Sequence, residues 1–261
     1  MLEHWAWLLI ASTLPLAVYV HQDRIWDCAD GQRYTSRAPQ PYPFHRRFHY
    51  WPKRLLQVTT FLSFMGLGVL MGTPGKAILL LTLPGVWFVT THPTCTDAPC
   101  LLLATLSSML LPTNMPLAIF CSCLAGVFHE RAPVFAALYA WSPWPLIGLI
   151  GVQWWVKAGK PDGDGLVGRG LLYSIKAHRP YQDLLDGRAA WTGLRALLPA
   201  AFYLGVSPRV WATFAVAMGT RIVGSDTSRF LMWAAPPMVL GLPELPPWYI
   251  ALHVITMKRA I

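Results

Sequence analysis

The chain has 261 residues, of which 54% are hydrophobic and only 13% charged, and its formal net charge is +9. A soluble domain carries roughly a quarter charged residues, so this composition excludes an ordinary water-soluble globule. The basic residues lie beside apolar runs and form no recognisable nucleic-acid motif. We therefore expect no nucleic-acid partner, and anionic lipid headgroups or phosphates as the partners of this charge.

Apolar runs alternate with polar stretches along the whole sequence. They lie at residues 5–20, 56–72, 76–91, 98–112, 113–128, 132–156, 191–205, 208–222, 229–243 and 247–257. Several are shorter than the roughly 20 residues that cross about 30 Å of hydrocarbon as a helix. We predict an all-α, polytopic transmembrane bundle of about eight to ten membrane segments, some short or re-entrant. It forms a single integral membrane domain over 1–261, with polar loops at 21–55 and 157–190.

The first polar loop combines carboxylates with side chains that can hold a phosphate. Asp27 and Asp30 are its candidate proton acceptors, and Arg33, Arg46 and Arg47 are among its cations. A carboxylate can serve as a general base, and arginine binds phosphate through a bidentate fork. The same composition also fits a solvated basic loop that anchors lipid headgroups, and both interpretations stay open.

Two shorter polar clusters separate later apolar runs. His92 and Asp97 bracket a turn, where Asp97 is also placed to cap the next helix. His129, Glu130 and Arg131 form the second cluster, in which the Glu and an Arg can pair. These imidazoles and carboxylates suit a divalent ion, but they form no compact ligand motif. We assign no metal ligand, and a divalent metal remains an alternative occupant.

A fourth cluster precedes the run at 229–243. Asp226 and Arg229 are three residues apart, a spacing that places them on one helix face and predicts a structural pair. If all the apolar runs cross the membrane, the first loop, the His92 turn and the His129 cluster emerge on the same side. We therefore expect these three clusters to share one membrane face.

Taken in chain order, these segments resemble the membrane-embedded glycosyltransferases of the GT-C type. The matching elements are Asp30-Gly31-x-x-Tyr34, Pro43-Phe44-x-x-Arg47, His92-Pro-Thr-x-Thr-Asp97, Glu130-Arg-Ala-Pro-Val-Phe-Ala-Ala-Leu138 and Asp226-Thr-Ser-Arg229. They cover most of the chain, although each is short. Typical members are longer, so this chain resembles a minimal form.

The resemblance implies transfer of a sugar from a polyprenyl-phosphate donor. It makes Asp30 the base that deprotonates the acceptor, with Asp27 as the substitute. The residues implied to bind substrate or phosphate are Arg33, Tyr34, Arg46, Arg47, His92, Asp97, His129 and Glu130. We expect a multi-pass protein of a bacterial-type inner membrane or a virion membrane, with lipids and the lipid-linked sugar as its partners.

Two other classes of function compete with this one. A non-catalytic structural or accessory subunit of a membrane complex or virion fits the many tryptophans and the short motifs equally well. A transporter fits the short, proline-broken segments, but the two halves of the chain show no clear internal repeat of the kind that common transporter folds contain.

Overall fold

A computed structural model of the protein describes residues 53–91, 97–129, 131–150, 187–220 and 227–257. Within these ranges the chain forms helices and no strand, which confirms the all-α prediction. The elements are α1 (Lys53–Leu70), α2 (Pro74–Leu81), α3 (Pro84–Thr91), α4 (Asp97–Leu110), α5 (Met115–Phe128), α6 (Arg131–Ala140), the 3-10 helix η1 (Trp144–Leu146), α7 (Gly187–Leu194), α8 (Leu197–Tyr203), α9 (Pro208–Gly219), α10 (Thr227–Met232), α11 (Ala235–Gly241) and α12 (Pro247–Met257).

Many helices are shorter than the apolar runs that predict them. The run at 76–91 divides into α2 and α3, and the run at 229–243 divides into α10 and α11. Proline explains much of this, because it has no backbone N–H and clashes inside a helix but fits the first turn. Prolines lie in the first turn of many helices, at Pro74, Pro84, Pro116, Pro208, Pro236 and Pro247. None of the helices in the described ranges combines the length and the apolar character needed to cross a membrane alone.

The chain divides into two compact units. Among the described residues, the terminal unit comprises 64–91, 187–220 and 227–257, and the central unit comprises 53–63, 97–129 and 131–150. The division falls within α1. Each unit is built from helices that pack mainly on members of the same unit.

The central unit is organised by an antiparallel hairpin of α4 and α5. The Ser107 hydroxyl donates to the Ala118 carbonyl at 2.8 Å, and the Cys100 thiol donates to the Ala125 carbonyl at 3.6 Å. Small buried side chains along this contact let the two backbones approach closely. Each bond gives a buried polar side chain a partner. Because the acceptors are main-chain oxygens of the other helix, the two bonds also fix the register of α4 against α5.

The turn of the hairpin is closed by a side-chain cap. Asn114 precedes α5, and its side-chain oxygen accepts a hydrogen bond from Leu117 N at 3.1 Å. This bond satisfies one of the N–H groups that the first helical turn leaves without an intrahelical partner.

We expect Asn114→Ala to lower the free energy of unfolding by about 1 kcal/mol, because the cap is lost from an exposed position. Thermal unfolding of the purified protein measures the change. Ser207→Ala is the matched control, since Ser207 precedes α9 without making a side-chain cap bond. Equal losses in the two variants would contradict a capping role for Asn114.

The 3-10 helix η1 docks against the middle of α5. The Ser122 hydroxyl donates to the Pro145 carbonyl at 2.6 Å. Two residues beyond η1, Gly148 lies so close to α5 that a Cβ built on it would be 2.7 Å from Ser122 O and 2.9 Å from Cys123 N. Only glycine permits this approach of two backbones.

The terminal unit packs its short helices around a large apolar core. Trp233, between α10 and α11, is fully buried together with leucines of α2 and α7. Helices α7 and α10 approach closely at Gly193, where a Cβ would lie 2.8 Å from Leu231 Cβ. The Lys76 ammonium on α2 donates to the Leu240 carbonyl at the end of α11, at 3.2 Å.

The run at 191–205 is broken at Arg195. This residue separates α7 from α8 and has a positive φ of 51°. A left-handed backbone is uncommon for a residue with a side chain and costs roughly 1–2 kcal/mol. The break therefore places a strained arginine at a helix junction.

Three helices carry exposed apolar stripes. The side chains are spaced three, four or seven residues apart, which puts each set on one helix face. The stripes are Val58, Leu62 and Val69 on α1, Leu117, Phe120 and Leu124 on α5, and Trp248, Leu252 and Ile255 on α12. Surfaces of this kind mark contact with lipid or with another protein.

Candidate functional site

Two residues of the predicted site, Asp97 and His129, are in the described ranges, and both belong to the central unit. The remaining predicted site residues lie outside the described ranges. These are Asp27, Asp30, Arg33, Tyr34, Arg46, Arg47, His92 and Glu130. Asp226, the predicted partner of Arg229, also lies outside them.

Asp97 is the first residue of α4, and its side chain is completely buried. A carboxylate in the first turn is stabilised by the positive end of the helix dipole. Burial would otherwise oppose its charge, so an ionised carboxylate here depends on interactions with its surroundings. Asp97 takes part in such interactions within the protein. Its position suits a fixed acidic group better than a mobile one.

His129 follows α5 as its C-terminal cap and is buried, with 7% of its surface exposed. Its ring Nδ1 accepts a hydrogen bond from Arg131 N at 3.2 Å. An accepting Nδ1 means that a neutral ring carries its proton on Nε2. This local bond fixes both the orientation and the tautomer of the imidazole. The other ring nitrogen, Nε2, then carries the N–H donor of the imidazole.

The register of the hairpin brings Asp97 and His129 to the same end. The two interhelix hydrogen bonds join residues 11 and 25 positions apart. Residues that face each other across the hairpin are therefore equally far from the turn, as Ser107 and Ala118 are, and Cys100 and Ala125. Asp97 lies one helical turn beyond Cys100, so it faces the end of α5. An acidic and an imidazole group, both buried, therefore share this end of the central unit. Such a pair can bind a hydroxyl or a phosphate and can move a proton.

The described residues form no group of three or more His, Cys, Asp or Glu side chains arranged to hold a metal ion. His92 and Glu130, the other members of the alternative metal set, lie outside the described ranges. Asp97 and His129 alone are too few for a protein-built zinc site, which takes three or four ligands.

The terminal unit contains a second buried polar cluster, which was not predicted from the sequence. His253 on α12 is completely buried, and its Nε2 is 3.2 Å from the Leu79 carbonyl on α2. One turn earlier on α12, the Tyr249 hydroxyl donates to the Ala196 carbonyl at 2.6 Å. Arg195 precedes that carbonyl, and its charge acts on the His253 imidazole. Ionisable residues inside apolar runs are a signal for this cluster, because such residues are rare without a role.

Comparison with protein-family models, with curated protein sequences and with solved structures found no match.

Proposed function

We propose that this chain is a multi-pass integral membrane protein with a glycosyltransferase-like activity that uses a polyprenyl-phosphate-linked sugar. The observation that carries the proposal is the burial of Asp97 and His129 together at one end of the α4–α5 hairpin. The outward side chains of α5, such as Phe120, are apolar. Buried ionisable groups beside an apolar exterior are typical of functional sites at membrane depth.

The exposed apolar stripes support the membrane location. Phe120 on α5 and Ile255 on α12 are more than half exposed, at 61% and 64%. In water, exposed apolar stripes favour association with another apolar surface. In the hydrocarbon core of a membrane, the same side chains contact lipid tails of similar polarity. Helices too short to span alone fit a membrane domain when they join end to end or enter from one side, provided that protein receives their free carbonyls.

In the proposed reaction, the Asp30 carboxylate removes a proton from an acceptor hydroxyl. The acceptor oxygen then bonds to the sugar C1 as the bond from C1 to the phosphate oxygen breaks. The departing polyprenyl phosphate carries the negative charge, which Arg46, Arg47 and His92 stabilise electrostatically. Asp97 and His129 hold polar groups of the substrate at the end of the hairpin.

An accessory membrane subunit is the second candidate function. It is favoured by the local bond from Arg131 N to His129 Nδ1, since that bond gives the imidazole a structural use. Asp97 and Arg131 each also take part in an interaction within the protein. In this alternative, the buried polar residues stabilise the central unit and the apolar stripes pack against partner proteins.

We expect the expressed protein to sediment with membranes and to stay there after extraction with alkaline carbonate, which removes peripheral proteins. Lys substitution of an exposed stripe residue, Phe120→Lys, should lower the membrane-integrated fraction, because a charge at the helix centre costs about 2.5–3.5 kcal/mol. Thr113→Lys, at the exposed hairpin turn, is the control and should integrate normally. Release of the wild-type chain by carbonate would contradict the membrane location.

Transfer of sugar from a polyprenyl-phosphate donor by the purified protein then separates the two candidates. Detectable transfer supports the enzyme, and its absence in a folded, membrane-integrated protein supports the accessory subunit.

A further inference from the structure

The buried cluster of Arg195, Tyr249 and His253 belongs to the terminal unit and uses none of the residues assigned to the proposed glycosyl transfer. Three elements meet here, namely α2 at Leu79, the α7–α8 junction at Arg195 and α12 at Tyr249 and His253. The cluster is therefore separate from the residues proposed for glycosyl transfer.

The hydrogen bond of His253 determines which ring nitrogen carries a proton. A carbonyl oxygen only accepts, so the nitrogen facing Leu79 O must be Nε2–H. Protonating Nδ1 as well would bury a second positive charge near the Arg195 guanidinium, which is costly. The ring is therefore neutral, with an accepting lone pair on Nδ1.

Both the imidazole and the guanidinium leave a buried nitrogen without a protein partner. In the described part of the chain, His253 Nδ1 and Arg195 Nε are buried and make no hydrogen bond. The first is an acceptor and the second is a charged donor. Leaving such groups without partners costs about 1–3 kcal/mol each, and more for the charged one. The Tyr249 hydroxyl hydrogen goes to Ala196 O, so Tyr249 does not donate to His253 Nδ1.

The described part of the terminal unit offers no buried carboxylate to this arginine. Among the described residues of the terminal unit, Glu244 is the sole acidic residue, and it is exposed in the link between α11 and α12. The cations of the same ranges include Lys76, whose ammonium is held by the Leu240 carbonyl. Among the described residues of this unit the charge balance is therefore positive, which favours an anion.

Arg195 has a strained backbone at the junction of α7 and α8. Its φ of 51° would be relaxed in glycine, yet the chain carries an arginine there. Strained residues that persist in a fold are concentrated at ligand-binding and catalytic positions. The same φ occurs at Trp141, so the strain accompanies the two nitrogens without a partner and does not by itself indicate a ligand.

We propose that Arg195 and His253 form a binding site for a phosphate group that retains one hydroxyl, as inorganic phosphate and the singly charged form of a phosphate monoester do. A charged phosphate oxygen accepts from Arg195 Nε–H, and the phosphate hydroxyl donates to His253 Nδ1. A phosphate diester and sulfate have no such hydroxyl at neutral pH, so they match only the guanidinium. The ligand can come from two sources, either a lipid headgroup or a soluble phosphate compound.

Calorimetric titration of the full chain in detergent, with inorganic phosphate as the probe, tests the proposal. We expect saturable binding, and sulfate should bind about tenfold more weakly or worse, because it meets the Nδ1 lone pair without a proton. No saturable phosphate binding, or equal affinity for sulfate, would overturn the proposal. In that event the two nitrogens share no more than an ordered water.

Three variants locate the binding within the fold. His253→Gln retains a side-chain N–H for the Leu79 carbonyl and removes Nδ1, and Arg195→Gln removes the charge. Each should weaken phosphate binding about tenfold or more. Lys76→Gln removes a charge elsewhere in the same unit and should change affinity less than about twofold, a change that screening by salt reduces further.

If His253→Gln fails to fold, Arg195→Gln decides, because Arg195 Nε makes no hydrogen bond that folding would lose. Unchanged phosphate affinity in a folded Arg195→Gln protein rejects the site.

Lipid bilayers then identify the source of the phosphate. Nanodiscs with phosphatidic acid present a monoester, and nanodiscs with phosphatidylglycerol present a diester of similar lipid structure. Competition between phosphatidic acid and inorganic phosphate, with little competition from phosphatidylglycerol, assigns the site to a lipid headgroup. Phosphate binding that neither lipid disturbs assigns it to a soluble compound. Stronger competition from phosphatidylglycerol than from phosphatidic acid contradicts the required hydroxyl.

Discussion

Gly148→Ala is expected to destabilise the central unit by about 3 kcal/mol, the upper part of the usual range for overpacking. The added Cβ would lie 2.7 Å from Ser122 O and 2.9 Å from Cys123 N. These are main-chain atoms of α5, so no side-chain rotation can relieve the clash. Moving η1 away from α5 would also stretch the 2.6 Å bond from the Ser122 hydroxyl to the Pro145 carbonyl.

Thermal unfolding followed by circular dichroism measures this loss. Gly219→Ala is the matched control, because it lies at the end of α9 and a Cβ there would meet no described atom beyond its own helix within 4 Å. Since alanine favours helix more than glycine, the control should be unchanged or more stable by up to about 1 kcal/mol. Similar melting temperatures for the two variants would show that η1 does not contact α5 as described.

Asp30→Asn is expected to lower sugar transfer by about two to four orders of magnitude, the usual consequence of losing a general base. The prediction rests on the sequence, where Asp30 precedes Gly31 and has Arg33 and Arg37 close by. Those cations favour the ionised carboxylate, which is the form that accepts a proton. Asparagine preserves the size of the side chain, so folding and membrane integration should be retained.

The measurement is transfer from a polyprenyl-phosphate sugar by purified wild-type and variant proteins. Asp226→Asn is the control, because Asp226 is predicted to pair with Arg229 and should affect yield or stability more than transfer. Full transfer by Asp30→Asn would move the assignment to Asp27. If neither carboxylate matters, the accessory subunit becomes the better interpretation.

The helical class was predictable because apolar runs of this length, interrupted by proline, have few other solutions. The positions of the breaks were less predictable. Pro84 begins α3, as the rule for first-turn prolines leads one to expect. Arg195 interrupts a run without any proline at the junction, and its left-handed backbone depends on the surrounding tertiary structure. A pattern of apolar residues contains no information about such a break.

The candidate sites also divide into residues that a local sequence pattern indicates and residues that only the tertiary structure brings together. Asp97 and His129 were recognisable because they border apolar runs, and the structure places them at one end of a hairpin. His253 lies inside an apolar run, and its bond to the Leu79 carbonyl joins residues 174 positions apart. A contact over that distance in sequence leaves no local pattern. The burial of Arg195 Nε is likewise a property of packing.

The contacts that fix the central unit have an evolutionary consequence. In each of three bonds, a small side chain at Ser107, Cys100 or Ser122 donates to a main-chain carbonyl. Because every residue has a main-chain carbonyl, only the donor side chain must be retained. The residue at the acceptor position can be replaced by any other that fits the available space. Related chains can thus keep this architecture without correlated substitutions at the donor and acceptor positions. Such correlated substitutions are one of the signals by which distant relatives are recognised.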